Sequence, residues 1–332
     1  MANSMRGRKS GAAGLMIFSI LVASLQSLSA SEPLSEKKTP VEILRLKHDQ
    51  PTAAVEFINQ SNMVLTACSD GFLRVWDSKG KIEKSIKTGG KPMYVSVRKE
   101  SQTVFVSTLD TIESWDIRNE KLLWQIKSEQ LGESETIGDI AISPGQKTLA
   151  ACLAWNDILL LDSECGKITR RLNRRGSTID WCRFSNDGKK FLAVYGDSRV
   201  VVWDTEKWQG TTSIREGIEP VHHAGFSPDG KQIVISGDKM IRLWDPPKGE
   251  FSRDFSGHNG EPTALLFADE EHLFSGDTAG FVVRWNVQNG KKVWELRCHQ
   301  EEITNLAMSD DGKKLAVACV SGEVAVLDLE PR

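Results

Sequence analysis

Along most of this chain, apolar and polar residues alternate in short runs, and clusters of Gly, Pro, Asn and Asp separate the runs. That alternation has the period of a β-strand, and the clusters have the composition of tight turns. Residues 226–245 show the pattern most clearly. Phe226 ends one strand, and Ser227-Pro228-Asp229-Gly230 makes a turn, because Pro presets φ at the second position and Gly accepts positive φ. Ile233, Val234 and Ile235 form a short β-branched strand. A second turn at Gly237-Asp238 leads into the alternating strand Ile241-Arg242-Leu243-Trp244-Asp245.

The unit recurs. Its closing dipeptide returns as Trp76-Asp77, Trp115-Asp116, Leu161-Asp162, Trp203-Asp204, Trp244-Asp245, Trp285-Asn286 and Leu327-Asp328, at intervals of 39, 46, 42, 41, 41 and 42 residues. The turn returns as Ser185-Asn186-Asp187-Gly188, as Ser309-Asp310-Asp311-Gly312 and, more loosely, as Ser143-Pro144-Gly145. A period of about 40–45 residues with four short strands per repeat is the signature of a propeller. On these residues the chain resembles the WD-repeat (WD40) family, as an exported bacterial-type member, and the resemblance covers roughly residues 41–328. It implies an all-β fold, a seven-bladed antiparallel β-propeller. Only four residues follow Asp328, too few for a last outer strand, so the alternating run 41–46 is expected to cross over and close the ring.

The expected blades run over about 52–87, 92–127, 137–172, 178–214 and 220–255, with the sixth after Gly257-His258 and the seventh after Cys298-His299. The resemblance implies structural roles for His48, Asp70 and Trp76, which match the family's loop His, turn Asp and strand Trp. Those groups hydrogen-bond within a blade. Trp115, Trp203, Trp244, His258 and Trp285 take corresponding blade positions. The Gly-His pair is absent before blades 2 to 5, and Trp is missing from the third and seventh closing dipeptides, so the internal bonding is expected to differ from blade to blade.

Three surface features invite a sharper reading. The acidic connection 127–136 reads as a mobile solvated loop or a partner contact. Trp155 falls in a turn before a third strand, where an exposed aromatic would anchor a partner and a tucked one would pack on the next blade. Arg170, Arg171, Arg174 and Arg175 form the most basic stretch. They suit bidentate recognition of carboxylate or phosphate, or simply a solvated outer strand whose charges discourage edge pairing.

The first 30 residues differ in kind. Arg6, Arg8 and Lys9 precede an uncharged run with the apolar heart Leu15–Val22, and small residues follow up to Ala30. That order is a secretory signal peptide, cleaved after Ala30; the alternative is an uncleaved anchor over residues 11–31. Residues 31–40 read as a polar linker, and 41–332 as the propeller. The expected location is therefore periplasmic or secreted, or tethered to the membrane. Without residues 1–30 the chain carries 39 basic and 45 acidic residues, a net of −6, which argues against nucleic acid as a partner.

No nucleophile elbow, phosphate-cradling Gly loop or His-Glu-x-x-His appears. Cys68, Cys152, Cys182 and Cys319 lie in strands and read as small core residues. Aligned on their innermost strands, Asp180 and His222 share a register, with Asp139 one place off and His223 adjacent. Together they could hold a metal or assist acid–base chemistry in the central channel, or merely line it as polar groups. The favoured reading is a non-catalytic, monomeric scaffold that binds other proteins and has no cofactor. The alternative is a secreted propeller that uses its channel as an enzyme or ligand site.

Overall fold

The computed structural model describes residues 39–331, apart from 59–62, 99–100, 132–135, 154–156, 174–176 and 216–218. The expected signal peptide, Trp155, Arg174 and Arg175 lie outside the described residues. The remainder forms seven four-stranded antiparallel sheets, each built from consecutive strands except the last. Neighbouring sheets touch chiefly through their innermost strands, and the sheets stand around a common axis as a seven-bladed β-propeller.

Each blade repeats one arrangement. Its innermost and third strands mix buried and half-buried side chains, whereas its second strand is almost wholly buried. Ile233–Gly237 in blade 5 and Thr148–Leu153 in blade 3 are of this kind, dense in Ile, Val, Leu and Ala. Strands buried on both faces need such continuous apolar runs. Side chains from facing sheets merge into inter-blade clusters; Phe191, Tyr195 and Trp203 of blade 4 pack on Ala150, Cys152 and Leu160 of blade 3.

The last blade confirms the expected closure. Val41–Lys47 pairs antiparallel with Glu323–Asp328, as the outer strand of the sheet whose other three strands are Ile303–Met308, Lys314–Cys319 and Glu323–Asp328. Leu46 is buried there among Val324, Val326 and side chains of blade 1.

One irregularity is common to all seven blades. The pairing of third and outer strands slips by one residue at the closing Trp or Leu, which leaves one extra residue in the outer strand. Such a bulge bends and twists the edge strand, which discourages edge-to-edge pairing. In blades 3, 4 and 5 the extra residue is Thr169, Thr211 or Ser252. Its hydroxyl donates to the carbonyl of Leu160, Val202 or Leu243 at 2.9, 3.2 and 3.2 Å.

The described start of the connection after blade 2, residues 128–131, takes a regular form. Ser128–Gln130 forms one 3-10 turn, and Leu131 is buried against Phe105 and Ile137 between blades 2 and 3.

Closure by the first strand has a measurable consequence. Leu46→Ala should cost about 2–5 kcal/mol, and removal of residues 41–47 should abolish cooperative thermal unfolding. A deletion that melts as sharply and as late as the intact protein would refute closure as a source of stability.

Candidate functional site

Polar residues inside the blades form local networks that occupy much of the chemistry the sequence offers. Blade 6 has the fullest one. The Trp285 indole N–H donates to Ser275 Oγ at 2.7 Å, and that oxygen lies 2.6 Å from His258 Nε2. His258 Nδ1 lies 3.0 Å from Asp277 Oδ2. With Ser275 donating to Nε2, the imidazole proton sits on Nδ1 and faces the carboxylate. Burial alone would raise the Asp277 carboxyl, but bonds from His258 and from the Phe281 and Gly260 N–H groups outweigh it and hold the group below its ordinary range.

The other blades fill the same slot differently. In blade 1, Arg74 stands between His48 and Asp70. Its Nη1 is 3.2 Å from His48 Nδ1, and its Nη2 is 2.6 Å from Asp70 Oδ2, so Arg74 links the two side chains within the blade. Trp76 donates to Thr66 Oγ1 at 2.8 Å. Blade 2 has no such His. The fully buried Glu113 accepts from Trp115 Nε1 at 2.7 Å, and from Gly89 N, Gln125 Nε2 and Thr111 Oγ1 at 2.9 Å each. In blade 7, Arg45 of the closing strand reaches Glu323 at 2.6 Å and the Cys298 carbonyl at 3.0 Å, beside His299. Trp203 packs in the core between blades 3 and 4. The Trp244 indole N–H has no acceptor among the described residues, and its ring packs edge-on against Phe251 at 5.0 Å.

Glu113 and Arg74 went unread in the sequence although a signal was present. Each lies two residues before a closing Trp, at a strand position that blades 4 and 6 fill with Val201 and Val283.

The central channel departs from the expected constellation. Asp139 does not face it. Its carboxylate is buried between blades 3 and 4, where it accepts from Cys182 N and from Arg183 Nη1 at 2.8 Å each. Asp180 is exposed, and His222 Nε2 lies 3.3 Å from Glu261 of blade 6, so the Asp180–His222 pair does not form. Register fixes how far along its strand a residue lies, not which way its side chain turns. No group of three or more metal-ligating side chains occurs among the described residues. Instead Trp181 fills the middle of the channel. Arg183 stacks on its ring at 3.7 Å, His223 packs against it at 4.1 Å, and Tyr94 of blade 2 meets it edge-on at 6.1 Å. Burial and the neighbouring Arg183 guanidinium push His223 down to about 3.

Among the described residues the outer rim carries all the large exposed apolar side chains but Leu109, which lies in a turn of blade 2. Val41, Ile43, Ile82, Leu122, Leu123 and Ile168 are each 38–51% exposed. All lie within the first three residues of their outer strands, in the consecutive blades 7, 1, 2 and 3. Ile43 and Leu123 are the extra residues of their bulges. Arg170 stands exposed two residues after Ile168, with one contact at 3.5 Å to the Lys207 carbonyl. Arg171 is drawn inward, bonded to the buried Asp157 carboxylate and to the Leu131 carbonyl at 2.7 Å.

Comparison with known proteins agrees with this architecture. Residues 40–77 and 212–245 match the model of the WD domain, G-beta repeat, and residues 278–331 match that of the anaphase-promoting complex subunit 4 WD40 domain. The chain is 23% identical to the WD repeat-containing protein 26 homolog of Arabidopsis thaliana over 184 residues, which is 52% of this chain and 31% of that protein. It is 33% identical to WD repeat-containing protein 55 of Bos taurus over 109 residues, 32% of this chain and 28% of that one. An uncharacterized WD repeat-containing protein of Synechocystis is 23% identical over 233 residues, 56% of this chain and 67% of that one. The alignments thus span less than a third of the length of the first two relatives.

Two predictions follow from the buried polar groups. Glu113→Gln turns an N–H group toward donors and should destabilise blade 2 by about 1–3 kcal/mol, whereas Arg170→Ala should leave thermal unfolding within about 0.5 kcal/mol of the parent. Acid unfolding should begin above the carboxylate range. Burial, with Arg74 adding to it, lowers His48 to about 4, and His223 lies lower still. Both imidazoles stay neutral in the fold at pH values where the unfolded chain takes up protons. Stability should therefore be full above about pH 6.5 and fall as pH drops toward 4. Titration of denaturant midpoints reads this directly; a flat profile from pH 7 to 4 would contradict the assignment.

Proposed function

This chain belongs to the WD-repeat β-propeller family, and from that premise we propose that it is a non-catalytic scaffold that holds other proteins outside the cytoplasmic membrane. The observation that carries the reading is the uneven rim. Four consecutive blades expose large apolar side chains at the starts of their outer strands, while the bulges of blades 3 to 5 are capped by their own hydroxyls. Rigid aliphatic groups beside an exposed Arg are suited to a protein contact with an apolar centre and a polar border. The internal networks support the non-catalytic part. The His, Asp, Ser and Trp of blade 6 resemble a catalytic set in composition, yet they bond one another inside the blade, and the His258 and Asp277 side chains are shut off from solvent.

The location rests on the sequence. The basic, apolar and small-residue order of residues 1–30 suits export, with Ser31 as the first residue of the mature chain and residues 11–31 as an anchor if cleavage fails. The disc acts as a monomer and presents its rim to the partner.

Crosslinked capture of the full-length, C-terminally tagged protein from its native cells tests both parts. A stoichiometric protein partner should crosslink to the rim of blades 1 to 3. The double variant Leu122→Lys, Leu123→Lys should lose most of it, at least tenfold, with an unchanged melting temperature. Equal recovery by that variant would remove the rim from the interface. Recovery of a peptide that begins at Met1 from a soluble cytoplasmic fraction would overturn the location.

A further inference from the structure

Two adjoining cavities lie on the propeller axis, of about 260 and 60 Å³. Glu56, Trp181, Arg183, Thr304 and Asn305 line both, so polar groups gather at the waist between them. Beyond the waist the larger cavity is walled by Phe226, Leu266 and Phe267, and it reaches Asn186 and Pro228 in the turns at one mouth. Its volume depends on Gly225. A Cβ built there would meet nothing nearer than a Val234 methyl at 4.0 Å, and the innermost strand does not need Gly for its backbone angles at that place. A missing side chain, rather than a backbone requirement, leaves the space open.

The waist gathers hydrogen-bonding groups of definite sign. Arg183 uses Nη1 on Asp139 and on the Cys182 carbonyl, and its other nitrogens have no protein partner among the described residues. Asn305 accepts from Val55 N through Oδ1 at 3.3 Å, which leaves its amide N–H groups free to donate. His223 Nδ1 is buried without a partner. Glu56 brings a carboxylate to the same waist. Arg183 is already balanced by Asp139, so a phosphate would meet no surplus of positive charge. A bare organic cation would lack an open aromatic face, because Arg183 and His223 both pack against the Trp181 ring. A purely apolar ligand would bury the amide and guanidinium donors unpaired, at a cost.

A ligand with an anionic group, a cationic group and an apolar body satisfies all of these. We propose that the larger cavity binds a free α-amino acid with a branched aliphatic or aromatic side chain. Its carboxylate sits on Arg183 and Asn305, its ammonium at Glu56, and its side chain against Phe226, Leu266 and Phe267. The cavity is smaller than those that hold drug-sized ligands, which begin at about 300 Å³, and this agrees with an occupant of amino-acid size. The inference is independent of the scaffold reading, since it uses the axis and not the rim.

The test is thermal shift and calorimetry of the intact protein with L-leucine and L-phenylalanine. Phenylalaninamide, which lacks the carboxylate, hydrocinnamate, which lacks the amine, and L-serine, which lacks the apolar body, serve as controls. At least one of the two amino acids should raise the melting temperature and titrate to one site, and each control should give at least a tenfold loss of affinity. Gly225→Leu should fill the cavity and abolish the shift. Asn305→Asp keeps the acceptor for Val55 N but replaces the donors by a negative charge, and should abolish it too, so one variant remains if the other fails to fold. Absence of binding by the parent, undiminished binding of hydrocinnamate or the amide, or retained binding in a folded Gly225→Leu variant would each overturn the proposal.

Discussion

The ladder between Val41–Lys47 and Glu323–Asp328 is the constraint on which the rest depends. Six blades are built from consecutive strands and could form one after another, each by local hairpin closure. The seventh cannot, because its outer strand comes from the other end of the described chain. A ring of sheets buries both faces of every sheet only once it is closed. An open arc would leave two apolar faces in water, among them Val55 and Phe57 of blade 1, which pack on Ala316 and Ala318 of blade 7. Joining ends more than 270 residues apart is slow rather than prohibitive, since closure entropy grows only as the logarithm of loop length. Arg45 fastens the join further, by linking the closing strand to Glu323 and to the backbone at Cys298.

Within that ring, blades 1, 2 and 6 pair their closing indole with different residues, while the Trp244 indole of blade 5 has no acceptor among the described residues. In blades 1, 2 and 6 the slot beside the closing Trp contains the indole N–H together with backbone and side-chain donors that have been removed from water. A His–Asp–Ser set meets them in blade 6, Thr66 with the Asp70 carboxylate in blade 1, and one buried Glu with four donors in blade 2. Unpaired buried groups are costly, and equivalent pairings are nearly interchangeable in energy, so blades that differ in sequence superpose in role. This explains how the Gly-His pair can be lacking before blades 2 to 5 while the sheets there keep the same pairing and the same bulge.

What could be read in the sequence follows from the same physics. The fold was legible because seven closing dipeptides at near-constant spacing, with their turns, report strand positions directly, and strand pairing in a propeller is local. Ring closure was legible because the run 41–46 alternates like a strand and stands before the first full repeat. The candidate site was legible only in part. Aligning innermost strands drew Asp139, Asp180, His222 and His223 together at one level, but it could not tell that Asp139 turns into the blade interface to meet Arg183, that His222 faces Glu261, or that Trp181 stands in the channel. Those directions depend on which neighbour offers a charge or an open volume, and Gly225 supplies that volume from another blade. The rim was hidden for a different reason. Ile43 and Leu123 are exposed because a bulge adds a residue at the closing position, and strict alternation gives no sign of it.

The bulges also explain how one scaffold can be regular inside and particular outside. Each bulge releases a third-strand carbonyl from the ladder and turns one outer-strand residue outward. Where that residue is Thr or Ser, the hydroxyl takes up the carbonyl, and the edge closes on itself. Where it is Ile43 or Leu123, the side chain cannot do so and is delivered to the surface beside further apolar neighbours. The residue at that one position per blade changes the rim at little cost to the core behind it, because the second and third strands keep the same register in either case. A ring whose stability comes from closure and inter-sheet packing can vary this position freely. In this chain the exposed apolar choices fall in blades 7 and 2, and blade 1 between them exposes Ile82 beside its own bulge residue, Glu83.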